Sequence, residues 1–90
     1  MYKIEMSSRY RRELKTARKR GYDMNKLEAV IELLQKDIPL PAKNWDHALT
    51  GNYEGFRECH ITPDWLLIYR IEKDILVLYL LRTGTHSDLF

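Results

Sequence analysis

Phe56-Arg57-Glu58-Cys59-His60-Ile61, the Pro63-Asp64 turn, Trp65-Leu66-Leu67-Ile68-Tyr69-Arg70-Ile71, the Glu72-Lys73-Asp74 turn and Ile75-Leu76-Val77-Leu78-Tyr79-Leu80-Leu81 decide the fold. The first segment alternates apolar and polar residues at period two, as a half-buried strand does. The second is an apolar strand, and the third is apolar throughout, which reads as a strand buried on both faces. Short polar turns between them make neighbours in sequence neighbours in a sheet, so residues 56–81 form an antiparallel meander.

Working outward towards the N-terminus, Tyr2-Lys3-Ile4-Glu5-Met6 alternates as another strand, and Ser7 or Ser8 then caps a helix. Tyr10, Leu14 and Ala17 supply its narrow apolar stripe, and Gly21 ends it. Asp23 or Asn25 opens a second helix whose stripe of Leu27, Val30, Ile31 and Leu34 follows the i, i+3, i+4, i+7 spacing. Pro39 and Pro41 stop it beyond Asp37. Residues 42–55 lose periodicity, apart from a short strand expected at His47 to Leu49, and a connection of that length often carries function. The expected fold class is α+β. It has an N-terminal strand, a two-helix hairpin and then an antiparallel meander sheet packed on the helices by one face, with the other face partly free.

The 90 residues have room for a single domain spanning 1–90, with a modest core. A lone cysteine, Cys59, excludes an internal disulfide framework, and no stretch resembles a signal peptide or a membrane span. A cytoplasmic protein is the expectation. The net charge of +2 hides an asymmetry: residues 1–43 hold eleven Lys/Arg against six Asp/Glu, and residues 44–90 hold four against seven. The basic charge is densest in Arg9, Arg11, Arg12, Lys15, Arg18, Lys19 and Arg20. Such a face attracts a polyanion, nucleic acid or acidic protein, or is simply a solvated helix surface.

The C-terminus, Arg82-Thr83-Gly84-Thr85-His86-Ser87-Asp88-Leu89-Phe90, leaves the last strand with a guanidinium, an imidazole and an aromatic ring. His60 ends the strand entering the Pro63-Asp64 turn, so the meander can bring His60, Asp64, Arg82 and His86 to one edge of the free sheet face, with Asp64 close enough to orient an imidazole or to act as a proton acceptor itself. His47 comes from the preceding loop. Imidazoles both take and give protons near neutral pH, and a fixed guanidinium suits a phosphate gaining charge in a five-coordinate transition state. A base, an acid and a guanidinium are together what metal-free RNA cleavage requires, because the ribose 2′-OH is its own nucleophile and is absent from DNA. Phe90 at the free end can stack on a base. Each histidine taken alone also reads as a surface or hydrogen-bonded structural residue. Three histidines and a carboxylate make a zinc set as well, but no His-x-x-x-His or Cys-x-x-Cys element supports it, and no metal is expected. Cys59 alternates with polar neighbours and is expected to pack inward, and Trp65, Tyr69 and Tyr79 read as core or sheet-face residues. No phosphate-cradling glycine loop is present, so no nucleotide cofactor is expected.

The runs His47-Ala48-Leu49-Thr50-Gly51, Gly55-Phe56-Arg57-Glu58-Cys59-His60-Ile61, Pro63-Asp64-Trp65-Leu66-Leu67-Ile68-Tyr69 and Arg82 to Phe90, with Asp23-Met24-Asn25-Lys26-Leu27 and Pro39-Leu40-Pro41, cover nearly the whole chain. Together they resemble the YafQ-type branch of the RelE/ParE toxins, the toxin halves of bacterial type II toxin–antitoxin pairs. The resemblance implies a small α+β fold and ribosome-dependent cleavage of mRNA by the 2′-OH route. By position it places function on His47, His60, Asp64, Arg82, His86 and Phe90. Asp64 and His86 would be the proton-transfer pair, His47 and His60 would assist, Arg82 would stabilise the phosphate and Phe90 would orient a base. Ala48 stands where the branch often has proline, which would loosen the loop carrying His47. Implied partners are a cognate antitoxin, whose disordered segment folds on the toxin, and the ribosome with its mRNA. Operator DNA would be met only through the antitoxin, and no membrane is involved. The alternatives are a non-catalytic binding module and a gyrase-targeting ParE-like toxin, in which the histidine set would be absent.

Overall fold

A computed structural model describes residues 1–90. The elements are β1 (Lys3–Met6), α1 (Ser8–Lys19), α2 (Met24–Gln35), β2 (His47–Ala48), β3 (Arg57–Thr62), β4 (Trp65–Glu72), β5 (Val77–Gly84) and α3 (His86–Leu89). Single 3-10 turns at Ala42–Asn44 and Gly51–Tyr53 flank β2. No helix is long and apolar enough to cross a membrane.

Local chemistry sets the helix ends. The Ser7 hydroxyl accepts the Tyr10 N–H at the start of α1, and Arg18 and Lys19 occupy its last turn, where cations meet the negative end of the helix dipole. Asp23 caps α2 by accepting the Asn25 N–H. That helix closes in a Schellman arrangement: Ile38 N–H reaches the Leu33 carbonyl, Asp37 N–H reaches that of Leu34, and Asp37 takes the left-handed conformation.

The sheet order is β1-β5-β4-β3-β2. The β3–β4–β5 meander is antiparallel as expected, but β1 joins β5 in parallel, so the sheet is mixed. The two helices carry the chain away from the end of β1, which permits the parallel pairing, and Ser7 secures it through N–H and hydroxyl bonds to the Leu80 and Leu81 carbonyls. The longest fully buried run, Trp65 to Tyr69, lies on β4 in the sheet centre. Ile75 and Leu76 belong to an exposed turn, and the last strand runs to Gly84 rather than stopping at Leu81. Arg82 therefore stands on a strand, next to a bulge at Leu81 in the β4–β5 register.

Alternation divides the sheet residues between two cores. Cys59, Ile61, Trp65, Leu67, Tyr69, Leu78 and Leu80 face the helices and meet Tyr10, Ala17, Leu27, Val30 and Leu34. On the opposite face Leu66 and Ile68 pack against Leu89 of α3, edged by Leu49, Tyr53, Phe56 and Leu81. That face is thus roofed in part by the tail and by the loop before β3. The tail is part of a core, held by a buried leucine and by a capping box in which Thr85 and Asp88 satisfy each other's backbone N–H groups.

Candidate functional site

The outer sheet face carries the site because of parity on β3. Cys59 and Ile61 turn inward to the helices, so Glu58 and His60 turn outward together. Glu58 sits opposite His47 in the β2–β3 register, and His47 Nε2 lies 3.4 Å from its carboxylate. The second imidazole nitrogen, Nδ1, donates to the Trp45 carbonyl at 2.8 Å. Asp46 holds this loop down: its Oδ1 accepts from the Tyr69 hydroxyl at 2.6 Å and from Arg57 Nε at 3.2 Å. The connection carrying Ala48 is therefore tethered despite the lack of proline.

His86 opens α3 and hangs over His60, their ring centres 5.8 Å apart. Single donor atoms of Glu58, His60 and His86 lie within 4.8 Å of one another. Glu58 is buried and one of its carboxylate oxygens, Oε2, has no hydrogen-bond partner. Asp64 Oδ1 approaches His86 Nδ1 at 3.9 Å. The imidazole that Asp64 approaches is that of His86 and not that of His60: the His60 Nδ1 donates to the Pro63 carbonyl at 3.3 Å, because the tight turn points that carbonyl back at the ring and sends the carboxylate to the tail. The Phe90 ring is 6.4 Å from that of His86 and meets Tyr53 edge-on at 5.8 Å.

Arg82 is the fixed guanidinium that was expected, but protein acceptors hold it where a phosphate was expected. Its Nε and Nη2 clasp Glu13 of α1, the shortest contact being 2.6 Å. Nη2 also reaches the Asp88 carbonyl at 3.3 Å, and Nη1 reaches the Tyr53 hydroxyl at 3.1 Å and the Leu89 carbonyl at 3.5 Å. All five of its N–H donors face acceptors. The Glu13 bonds hold the guanidinium well above its ordinary pKa, burial opposing them. Arg82 consequently braces the tail while remaining on the site's border. Burial pushes the Cys59 thiol far above its ordinary pKa, which removes it as a nucleophile.

Sequence reading missed Glu58, Trp45, Tyr53 and Glu13. Glu58 was legible, since it lies two residues before His60 in an alternating strand and must share its face. Glu13 was not, because only the packing of α1 on β5 brings it to Arg82.

This is a small α+β protein with imidazoles and carboxylates gathered on its outer sheet face. Residues 2–90 match the family described as bacterial toxin of type II toxin–antitoxin system, YafQ. The chain is 46% identical over 88 residues to the mRNA interferase toxin YafQ of Escherichia coli K12, covering 97% of this chain and 94% of the relative. The structure resembles that of a metal-bound toxin from Helicobacter pylori, with a TM-score of 0.94, 43% identity and full coverage of both chains. It also resembles the toxin of the E. coli DinJ–YafQ toxin–antitoxin complex, with a TM-score of 0.89, 44% identity, and coverage of 99% and 97%. The chain belongs to the YafQ family of type II toxins.

Proposed function

We propose that the chain is an endoribonuclease that arrests translation by cutting mRNA on bacterial ribosomes in the cytoplasm, and that a cognate antitoxin restrains it. The observation that carries this reading is the convergence of Glu58, His60 and His86 within 4.8 Å, with Asp64 3.9 Å from His86, on an open sheet face. The kinship with an mRNA interferase supports it.

In the proposed reaction the ribose 2′-oxygen attacks the adjacent phosphorus while its proton passes to one member of the Asp64–His86 pair. The P–O5′ bond breaks, and the other member returns a proton to the departing oxygen. The products are a 2′,3′-cyclic phosphate and a 5′-hydroxyl end. His60, with its proton on Nδ1, presents Nε2 to the site, and His47 is held in place by Glu58 and the Trp45 carbonyl. Arg82 supplies positive charge at the border, and a phosphate contacts it directly by displacing its long bonds to the neutral Leu89 and Asp88 carbonyls. Phe90 holds a base. The exposed cations of α1 meet ribosomal RNA or the antitoxin.

Glu58, His60 and His86 also have the chemistry of a metal-ligand set: two imidazoles and a carboxylate whose Oε2 is buried without a partner. A divalent ion held there would act as a Lewis acid. It would also occupy nitrogens that the proposed proton transfers need, so the reaction we propose runs without it.

The test is induction of the chain in growing bacteria with mapping of transcript ends. Cuts bearing 5′-hydroxyl ends, lost in His86→Ala and Asp64→Ala, are expected. Arrested growth with intact transcripts would overturn the proposal, as would cutting that survives both substitutions.

A further inference from the structure

Trp45 is a large apolar side chain left 69% exposed beside an acid–base site. Its ring stacks on His60, with centres 5.5 Å apart and planes 24° from parallel, and lies 6.3 Å from the His47 ring. The backbone there is left-handed, with φ 45° and ψ 53°, a conformation a bulky residue adopts at a cost and glycine adopts freely. Folding does not need the indole: little of it is buried, and the anchors of the loop are the Asp46 carboxylate, the Trp45 carbonyl and the Asn44 amide, which donates to the His60 carbonyl at 2.7 Å. A strained position thus keeps an aromatic face in water at the edge of the site.

The rings form a row. Trp45 is followed by His60, then His86 at 5.8 Å from it, then Phe90 at 6.4 Å, and both ends of the row are exposed aromatics. Single-stranded RNA is gripped where successive bases find π-faces along a channel.

We propose that Trp45 is a second base platform: an unpaired mRNA base flanking the scissile phosphate, on the side away from Phe90, stacks on its exposed indole. A purine is favoured for its larger face. The proposal rests on the ribonuclease reading above and adds to it a determinant of which messages are cut.

Ribosomes programmed with messages carrying each of the four bases at the positions flanking the cut provide the test, in single-turnover cleavage with the full chain. Stacking on an aromatic side chain is worth ~1–3 kcal/mol per base, or about 5- to 150-fold. Trp45→Gly is expected to slow cleavage of purine-flanked messages by that factor and to collapse the spread between purine and pyrimidine. Trp45→Phe should stay within about threefold of the parent. The thermal midpoint of Trp45→Gly should equal or exceed the parent's, since glycine relieves the strain. Unchanged rates and base preference in Trp45→Gly would overturn the proposal. So would a uniform slowing of all four messages with an altered pH profile, which is the signature of Trp45 merely steadying His60. A parent chain that cuts none of the messages overturns the ribonuclease reading and this proposal together, whereas cutting indifferent to Trp45 overturns this one alone.

Discussion

Removing the Glu13 carboxylate is the sharpest perturbation available, because one side chain of α1 anchors the guanidinium at the border of the site. Glu13 accepts Arg82 Nε with both oxygens, Arg82 Nη2 at 2.6 Å and the Thr83 N–H at 3.3 Å. The pair is mostly shielded from water, with side-chain exposures of 11% for Arg82 and 18% for Glu13. Breaking a fully buried pair from one side costs ~3–5 kcal/mol, and hydrogen bonds to charged groups contribute ~1.5–3 kcal/mol. Partial water access puts Glu13→Ala at about 2–3 kcal/mol, whereas Glu13→Gln keeps an acceptor oxygen and should cost about 1 kcal/mol. For a domain of this size each kcal/mol lowers the thermal midpoint by ~4–8 °C, so Ala should cost roughly 8–24 °C and Gln roughly 4–8 °C. Calorimetry at neutral pH measures both. In an Arg82→Ala background most of the Glu13→Ala effect should vanish, because the interaction it removes is already gone. Midpoints of Glu13→Ala and Glu13→Gln within about 3 °C of each other, or full additivity with Arg82→Ala, would refute the reasoning.

Three further outcomes are expected. A Cβ added at Gly84 would lie 2.9 Å from the Asp88 Cβ, so Gly84→Ala should push α3 off the sheet and lose ~1–3 kcal/mol, with mRNA cutting reduced more than stability; unaltered cutting in a transcript-end assay would contradict this. Asp88→Ala should lose the tail's helix cap, worth ~1 kcal/mol, and raise amide exchange over residues 85–90 about fivefold, as hydrogen exchange measures. The hydrogen bond from Arg20 holds the Asp88 carboxyl well below its ordinary value of 3.8, so its contribution is fully present above that pH and is lost as the pH falls through the lower folded value. Tail protection in the parent should therefore be level from neutral pH down to about 5 and fall only in strong acid. Finally, the chain stripped by chelator and returned to chelator-free, magnesium-containing ribosome buffer should cut as before, while copper(II) or zinc(II) inhibits it by binding Glu58, His60 and His86; a stripped chain that cuts only after copper(II) or zinc(II) is added back would reverse the proposed mechanism.

Much of this molecule is legible in its chain because the signals are local. Ser7, Asp23 and Gly21 bound the helices, and the stripe of Leu27, Val30 and Leu34 marks the buried face of α2. The strands of the meander are separated by turns too short for anything but antiparallel pairing. Parity alone places His60 on the face away from Cys59, and would have placed Glu58 there too. The start of β5 was misread at Ile75 and Leu76, because apolar residues in a turn look the same in sequence as apolar residues in a strand.

Tertiary structure alone decided the rest. The parallel seating of β1 on β5, the Glu13 clasp on Arg82 across 69 residues and the Arg20–Asp88 bond across 68 depend on how α1 lies on the sheet. The turn that gave Asp64 to His86 rather than His60, and the left-handed Trp45 stacked on His60, depend on where a few carbonyls point. Periodicity and caps report on interactions within one or two turns of chain, so they determine which elements form and which side each residue faces. The partner a charged or aromatic group finds is set by the docking of elements distant in sequence, where a shift of a few ångströms makes or breaks the contact. In this protein the imidazoles were visible from the chain, and the Glu13 clasp, the Arg20–Asp88 bond and the exposed indole that surround them appeared only when it folded.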